Sequence, residues 1–292
     1  MPFDRKTIRE IAACGLGLRL PPWPGRYYTI TAVSGKAITV PDLLMDLAEE
    51  HGAEDLYFNH EKAFAEANQI RVDRWDTGRD VVTLGKAPTG VAKDEKCEFY
   101  VAMPAAEVNV AIDEALQSLW YIDQGEVALT ADQNEIDITA SLSWLKNSGQ
   151  LLELIYREVL ATKRLAQRPV AEFETDDVVE SGAQKLRVYL WDHPADVADK
   201  TLQVRGKHYY DGLAEDTTTT TCPQPLTIAA VRVRIISRLP VRLKEIFGDR
   251  ILNFDRDLAE ARLQFLPLAM DRPLRRRDYW GGPEVPIEMW SW

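Results

Sequence analysis

Pro104-Ala-Ala-Glu-Val-Asn-Val-Ala-Ile-Asp-Glu-Ala-Leu-Gln-Ser-Leu-Trp-Tyr-Ile122 is the stretch on which the fold turns. Val108, Ala111, Ile112, Ala115, Leu119 and Ile122 recur at helical spacing and define one apolar stripe. Pro104 suits a first turn, where a missing N–H costs nothing, and Gly125 is the expected stop. Two other regions carry the same period. Residues 4–18 open on Asp4 as an N-cap and present Ile8, Ile11 and Ala12. Beyond residue 227, Ile228, Val231, Ile235, Leu239 and Leu243 make a stripe, and Pro240 should kink or split that helix. A last helix from Phe254 presents Leu258, Ala261 and Phe265. None of these helices can bury its stripe alone, so they are expected to pack together.

The intervening sequence reads as β structure. Residues 26–32 and 36–40 are β-branched or aromatic runs joined through Val33-Ser34-Gly35, a hairpin pattern. Residues 41–50 suit a short helix, and strands are expected at 56–58, 70–75, 79–84 and 97–101. A second β region comprises 126–130, 135–139, 150–157, 170–173, 185–191 and 201–206, with Asp176 to Gly182 as an acidic turn. The expected fold class is therefore α+β: a small helical bundle core, two projecting antiparallel β modules and an extended C-terminal arm. The boundaries are an N-terminal helix (1–20), a β-rich module (21–102), the core helix (103–125), a second β module (126–222), C-terminal core helices (223–270) and the arm (271–292).

The arm is distinctive. Pro273, Gly281-Gly282, Pro283 and Pro286 forbid a regular helix there, yet it carries Tyr279, Trp280, Ile287, Met289, Trp290 and Trp292. Burying one large aromatic is worth roughly 3 kcal/mol or more, so exposed tryptophans would be a liability. The arm is expected either to pack back onto its own domain or, in the sharper reading, to dock on a neighbouring subunit or partner, with these aromatics as anchors and Arg275, Arg276 and Arg277 as rim charges.

The net charge of −11 is unevenly spread. Residues 224–277 hold twelve Lys/Arg against six Asp/Glu, so an acidic body precedes a basic segment. An acidic body argues against coating nucleic acid, because phosphate contacts require positive surface. The separation suits contacts between unlike surfaces, and Arg234, Arg238 and Arg242 at i, i+4, i+8 are the candidate inter-subunit stripe. No run approaches a membrane span, and the N-terminus lacks the apolar core of a secretory signal, which points to synthesis in the cytosol. Cys14, Cys97 and Cys222 are odd in number and widely spaced, as expected of idle thiols.

Chemistry-bearing motifs are mostly missing. There is no phosphate-binding glycine loop with Lys-Ser/Thr, no dinucleotide fingerprint and no serine-hydrolase elbow. His51, His60, His193 and His208 lack metal-ligand spacing and are expected on surfaces or loops. Asp132 to Asp137 resembles a calcium loop without its glycine or its final glutamate. Glu172/Glu174 and Asp176/Asp177 are carboxylate pairs without a known separation. Tyr27/Tyr28, Trp75, Trp144, Trp191 and Tyr209/Tyr210 are aromatics that suit either a sugar platform or sheet faces. The expectation is a non-enzymatic protein with no cofactor and no metal.

One resemblance adds to this. Glu107 to Leu119 resembles the "AINxAL" helix of tailed-bacteriophage virion proteins. The Ser143-Trp144-Leu145 turn, Leu151-Leu-Glu-Leu-Ile-Tyr-Arg157, Lys185-Leu-Arg-Val-Tyr-Leu190 and the segment 196–202 are similar to later pieces of such chains. The resemblance implies a virion structural protein and, within that group, a head–tail connector or neck adaptor. Its implied partners are copies of itself in a ring below the portal, the portal protein, and tail or neck proteins. Genome DNA would pass through the channel without specific binding, no membrane is involved, and the location is the virion, assembled in the host cytoplasm. A tail, baseplate or decoration protein, whose β module binds host-surface glycan or another virion protein, is the alternative.

Overall fold

The computed structural model describes residues 3–41, 43, 56–60, 69–76, 80–131, 133–159, 165–170, 173–191, 200–239 and 250–265. It divides into two compact units: residues 1–119 with 210–266, and residues 120–209 with 267–292.

In the first unit, β1 (Phe3–Asp4) pairs antiparallel with β17 (Thr219–Thr220) and leads into helix α1 (Arg5–Gly15). Asp4 caps α1, its Oδ1 accepting from the Thr7 N–H at 2.7 Å. An eight-stranded antiparallel sheet follows. Its strands are β2 (Arg19–Leu20), β3 (Tyr28–Thr29), β4 (Ala32–Ser34), β5 (Ala37–Thr39), β6 (Leu56–His60), β7 (Ile70–Asp76), β8 (Val81–Leu84) and β9 (Lys96–Val101). The order is β2-β9-β6-β7-β8-β5-β4, with β3 also on β9. The first hairpin turns at Gly35, whose φ of 60° belongs to glycine. Phe58, Phe99, Ile38, Val72 and Leu84 fill a core on one side of this sheet.

Helix α2 (Ala105–Ser118) begins after Pro104, and Gln69 serves as its cap from outside, Oε1 accepting from the Ala106 N–H at 2.6 Å. It buries Val108, Ala111, Ile112, Ala115 and Leu116 completely. Each large side chain among them is worth about 1.5–3 kcal/mol over exposure. The stripe packs with Ile8 and Ala12 of α1 and with Leu226, Val231 and Ile235 of helix α4 (Gln224–Arg238). Helix α5 (Arg250–Phe265) rests on α4 through Phe254, Leu258 and Ala261. Tyr100, Leu18 and Met103 belong to the same apolar cluster.

Among the described residues the strands of the second unit all pair antiparallel, and two short helical turns interrupt them. Its strands are β10 (Trp120–Ala128), β11 (Glu135–Asp137), β12 (Leu151–Val159), β13 (Leu165–Pro169), β14 (Phe173–Glu180), β15 (Ala183–Leu190) and β16 (Lys200–Tyr209); α3 (Ile138–Ser141) follows β11. They form a four-stranded sheet, β10-β16-β12-β13, and a three-stranded sheet, β11-β15-β14. Val127, Leu154, Leu202 and Val204 of the first share one core with Ile136, Leu186, Val188 and Leu190 of the second, so the sheets face each other.

These observations correct the expected fold class. The protein is mixed α/β, with 41% strand against 29% helix and several antiparallel sheets, and a small helical bundle core is not shown. The physical reason is that α1, α2 and α4 complete their packing with β-strand residues, and buried polar side chains bolt α1 to the sheet. The first β region is thus part of the helices' own unit and does not project from it. The core helix also ends at Leu119, ahead of the expected Ile122 and Gly125, because Trp120, Tyr121 and Ile122 pair in register with Tyr209, His208 and Lys207. Gly125 lies inside that strand, where a Cβ would meet Leu142 Cδ2 at 2.2 Å. The acidic residues 176–180 belong to strand β14, and the turn is Ser181-Gly182, both at positive φ as a tight two-residue hairpin requires. Of the expected short helix at 41–50 only residues 41 and 43 are described, and the arm at 271–292 lies outside the described residues.

Candidate functional site

The densest polar cluster sits within the first unit and has Glu98 at its centre. Alternation along β9 sends Glu98 and Tyr100 to the same side of the sheet, toward α1. Glu98, 1% exposed, accepts from Arg19 Nε and, through Oε1, from Asn59 Nδ2 at 2.7 Å and the Tyr100 hydroxyl at 3.3 Å. Arg19, fully buried, also donates to the carbonyls of Pro21 (2.9 Å), Trp23 (3.0 Å) and Arg26 (2.7 Å). It thereby fixes the proline-rich segment after α1. Glu10 closes that segment, accepting from the Gly25 N–H at 2.6 Å and from the Tyr27 hydroxyl.

Arg9 continues the network from α1. Its Nε donates to the Tyr100 hydroxyl at 3.0 Å, and Nη1 and Nη2 grip Asp216 bidentately at 2.7 and 2.8 Å. Nη1 also reaches Asn109 Oδ1 of α2 at 3.1 Å. Arg5, one turn earlier, contacts Asp216 at 3.3 Å and donates to the Leu213 carbonyl. Burial works against the charged form of Arg9 and Arg19, but the surrounding Tyr100, Glu98, Asp216 and Glu10 outweigh it and raise both. Burial, reinforced by Glu98 or Glu10, pushes the Tyr100 and Tyr27 hydroxyls upward, so both stay protonated donors.

Asp216 yields a pH prediction. Burial alone would raise its carboxyl, yet the paired Arg9, with Arg5, holds it below the usual carboxylate range. A depressed folded-state value means that its stabilisation is complete above the unfolded-state value, near 3.9, and is lost as pH falls through the lower folded value. Asp216→Asn is expected to cost about 1.5–3 kcal/mol at neutral pH, the range for hydrogen bonds to charged groups. Urea midpoints measured from pH 7 down to pH 3 should then fall less steeply in the variant than in the parent.

A second cluster lies within the other unit, on the inner face of its four-stranded sheet. Tyr121 and His208 are direct cross-strand partners with stacked rings 4.9 Å apart. Trp144 also stacks on His208, at 5.1 Å and 11°. His208 Nδ1 lies 2.8 Å from Asp123 Oδ2 and 2.9 Å from the Tyr121 hydroxyl. Gly206 makes room for this arrangement: a Cβ there would sit 3.0 Å from Trp144 and 2.9 Å from the Gln150 carbonyl oxygen. Both rings lie against the imidazole, so the stack holds Trp144 in place.

In both clusters most charged and polar atoms are engaged with one another, an arrangement that clamps segments together, while Asn59 Oδ1 and Asn109 Nδ2 are buried without a hydrogen-bond partner among the described residues. Among the described residues no group of three or more His, Cys, Asp or Glu is placed to hold a metal ion. No helix among them is long and apolar enough to cross a membrane.

The structure distributes the sequence-selected residues as follows. Arg234 is exposed on α4, whereas Arg238, one turn on, hydrogen-bonds Glu114 of α2 at 2.5 and 3.2 Å and stands 3.9 Å from Glu107. Hydrogen bonding to Arg238 in turn lowers the Glu114 carboxyl. Arg242 and the arm residues Arg275–Arg277, Tyr279, Trp280, Ile287, Met289, Trp290 and Trp292 lie outside the described residues. His60 and His208 sit on strands β6 and β16, His60 fully buried beside Glu95, in contrast to the expected surface or loop placement. The aromatics do not form one platform: Tyr28 is core in the first unit, and Trp144 and Tyr209 belong to opposite faces of a sheet in the second. Asp177 is held by the Ser148 N–H and hydroxyl, both at 2.7 Å.

Arg9, Arg19, Glu98, Asp216, Asp123 and His208 had no motif to reveal them. The available signal was a charge interrupting a short apolar run, as in Leu18-Arg19-Leu20 and Cys97-Glu98-Phe99-Tyr100. Compared with known proteins, the chain matches no family model, no curated protein and no solved structure.

Proposed function

We propose that this protein is a non-enzymatic assembly subunit of a tailed-phage virion, acting as a neck-type connector whose C-terminal segment docks on the portal. The observation that carries the reading is the exposed surface of the first unit's last described helix. Among the side chains described on α5, Phe254, Leu258 and Ala261 pack inward, while Asn253, Asp255, Arg256, Asp257, Glu260, Arg262 and Gln264 are exposed and Leu263 is 60% exposed. This surface-riding helix, with an apolar side chain left in solvent, precedes in sequence the arginine- and tryptophan-bearing segment 271–292. Such composition supplies buried aromatic anchors and rim charges to an interface. The engagement of the buried ionic clusters in internal clamps agrees with a load-transmitting part. In the closed ring the acidic body lines the channel and repels DNA phosphate, and unlike surfaces of successive copies meet head to tail.

The test is deletion of residues 271–292. The shortened chain is expected to keep its far-UV circular dichroism and to lose incorporation into virions and pull-down by portal protein. A shortened chain that still assembles would sink the reading.

A further inference from the structure

Cross-strand register defines the outward face of the four-stranded sheet in the second unit. Trp120 opposes Tyr209, Ile122 opposes Lys207, and Gln124 opposes Arg205. All six side chains lie on the face opposite Val127, Leu202 and Val204, which form the core. The three rungs run for about 14 Å along the strands. Gln124 is exposed, Tyr209 is 39% exposed, and the other four are half-buried.

Two features set this face apart from an ordinary solvated sheet. Tyr209 and Trp120 put two large aromatic rings on adjacent strands at one end. Lys207 Nζ stands 4.6 Å over the Trp120 ring, with no carboxylate partner among the described residues. By contrast Arg205 is neutralised by Glu153 at 2.8 Å, Arg157 by Glu126, and Gln203 and Gln124 bond each other at 3.2 Å. Among the described residues, one cation on this face is therefore available for an incoming anion.

We propose that this face binds an oligosaccharide carrying a single carboxylate beside neutral sugars. The apolar face of a neutral sugar lies on Tyr209 and Ile122, the carboxylate meets Lys207, and the Gln124 amide meets hydroxyls. Single-stranded nucleic acid also uses stacking platforms, but its backbone brings a phosphate per nucleotide and requires a row of cations. Among the described residues this face offers one, beside Glu126 and Glu153 in a chain of net charge −11. A protein partner would call for a contiguous apolar centre, and here the aromatic end gives way to amide and ion-pair rungs.

The full chain should be titrated with 3′-sialyllactose, with lactose and with an oligothymidylate, using saturation-transfer NMR and calorimetry. Saturable binding of sialyllactose, tighter than lactose, is expected. Lys207→Gln should weaken sialyllactose roughly tenfold, toward the lactose value, whereas Tyr209→Ala should weaken both sugars. Should Tyr209→Ala disturb folding by circular dichroism, Lys207→Gln and the shift of the Trp120 indole resonance decide the matter alone. No saturable response to sialyllactose, an unchanged affinity in Lys207→Gln, or preference for the oligothymidylate would each overturn the proposal.

Discussion

Replacing Glu98 with glutamine is expected to destabilise the first unit by about 3–5 kcal/mol, the cost of breaking a buried ion pair from one side. Shape is conserved, so the loss is electrostatic. Arg19, 0% exposed, would keep its carbonyl partners but lose the carboxylate that offsets its charge. Arg9, 3.9 Å from Glu98 Oε1, would rely on Asp216 alone. Both guanidiniums stay charged, because their surroundings raise their already high values. Against a total stability of about 5–15 kcal/mol for an ordinary domain, the change amounts to a large share. It corresponds to roughly 6–20 °C in Tm for a unit of this size. Urea and thermal unfolding followed by circular dichroism would measure it. Combining Glu98→Gln with Arg19→Gln should cost less than the two singles together, by about 0.5–3 kcal/mol, because the pair shares one contact. A loss below about 1 kcal/mol, the level of an exposed pair, would show that the cluster does not hold α1 to the sheet.

Gly206→Ala is expected to be the most damaging methyl addition in the second unit. The backbone there is ordinary strand, so the effect is steric. The added Cβ would lie 2.6 Å from Leu145 Cδ1, 2.9 Å from the Gln150 carbonyl oxygen and 3.0 Å from Trp144 Cζ3. The leucine can turn aside, but the carbonyl cannot retreat easily. Gln150 ends the one-turn 3-10 helix Ser148–Gln150, and its side chain bonds the carbonyls of Trp144 and Lys207, both at 3.1 Å. Overpacking of this kind costs about 1–3 kcal/mol. Trp144 should also leave the His208 ring, visible as changes in near-ultraviolet circular dichroism and in tryptophan emission. An unchanged spectrum with unchanged stability would mean that the segment 144–150 is free to move outward.

The two substitutions show where sequence patterning stopped being informative. Periodicity placed α1, α2 and α4 within a few residues, because a 3.6-residue stripe needs only local order to be seen. It carried α2 past Leu119, since Trp120, Tyr121 and Ile122 extend an apolar pattern as readily in a strand as in a helix. Only the nine-rung ladder with β16, some 80 residues away, decides for strand. Asp176 to Gly182 reads as an acidic turn in the sequence, whereas residues 176–180 belong to strand β14. In the structure Glu180 pairs with Lys185 and Arg187, whose other partners are Asp137 and Glu135, so a basic strand lies between two acidic ones. That neutralisation depends on register, which no single strand discloses.

By itself the sequence determined the alternation of helical and β segments and the acidic body ahead of a basic C-terminal region, and it makes docking by the proline- and tryptophan-bearing segment 271–292 an expectation. These are properties of neighbours along the chain, and local chemistry suffices for them. Tertiary structure alone decided that Arg9, Arg19, Glu98 and Asp216 meet, that Trp144 lies flat on His208, and that Trp120, Lys207 and Tyr209 share an open face. Each of those encounters joins residues distant in sequence through strand register and helix packing, so a charge in an apolar run could announce that it needed a partner without naming it.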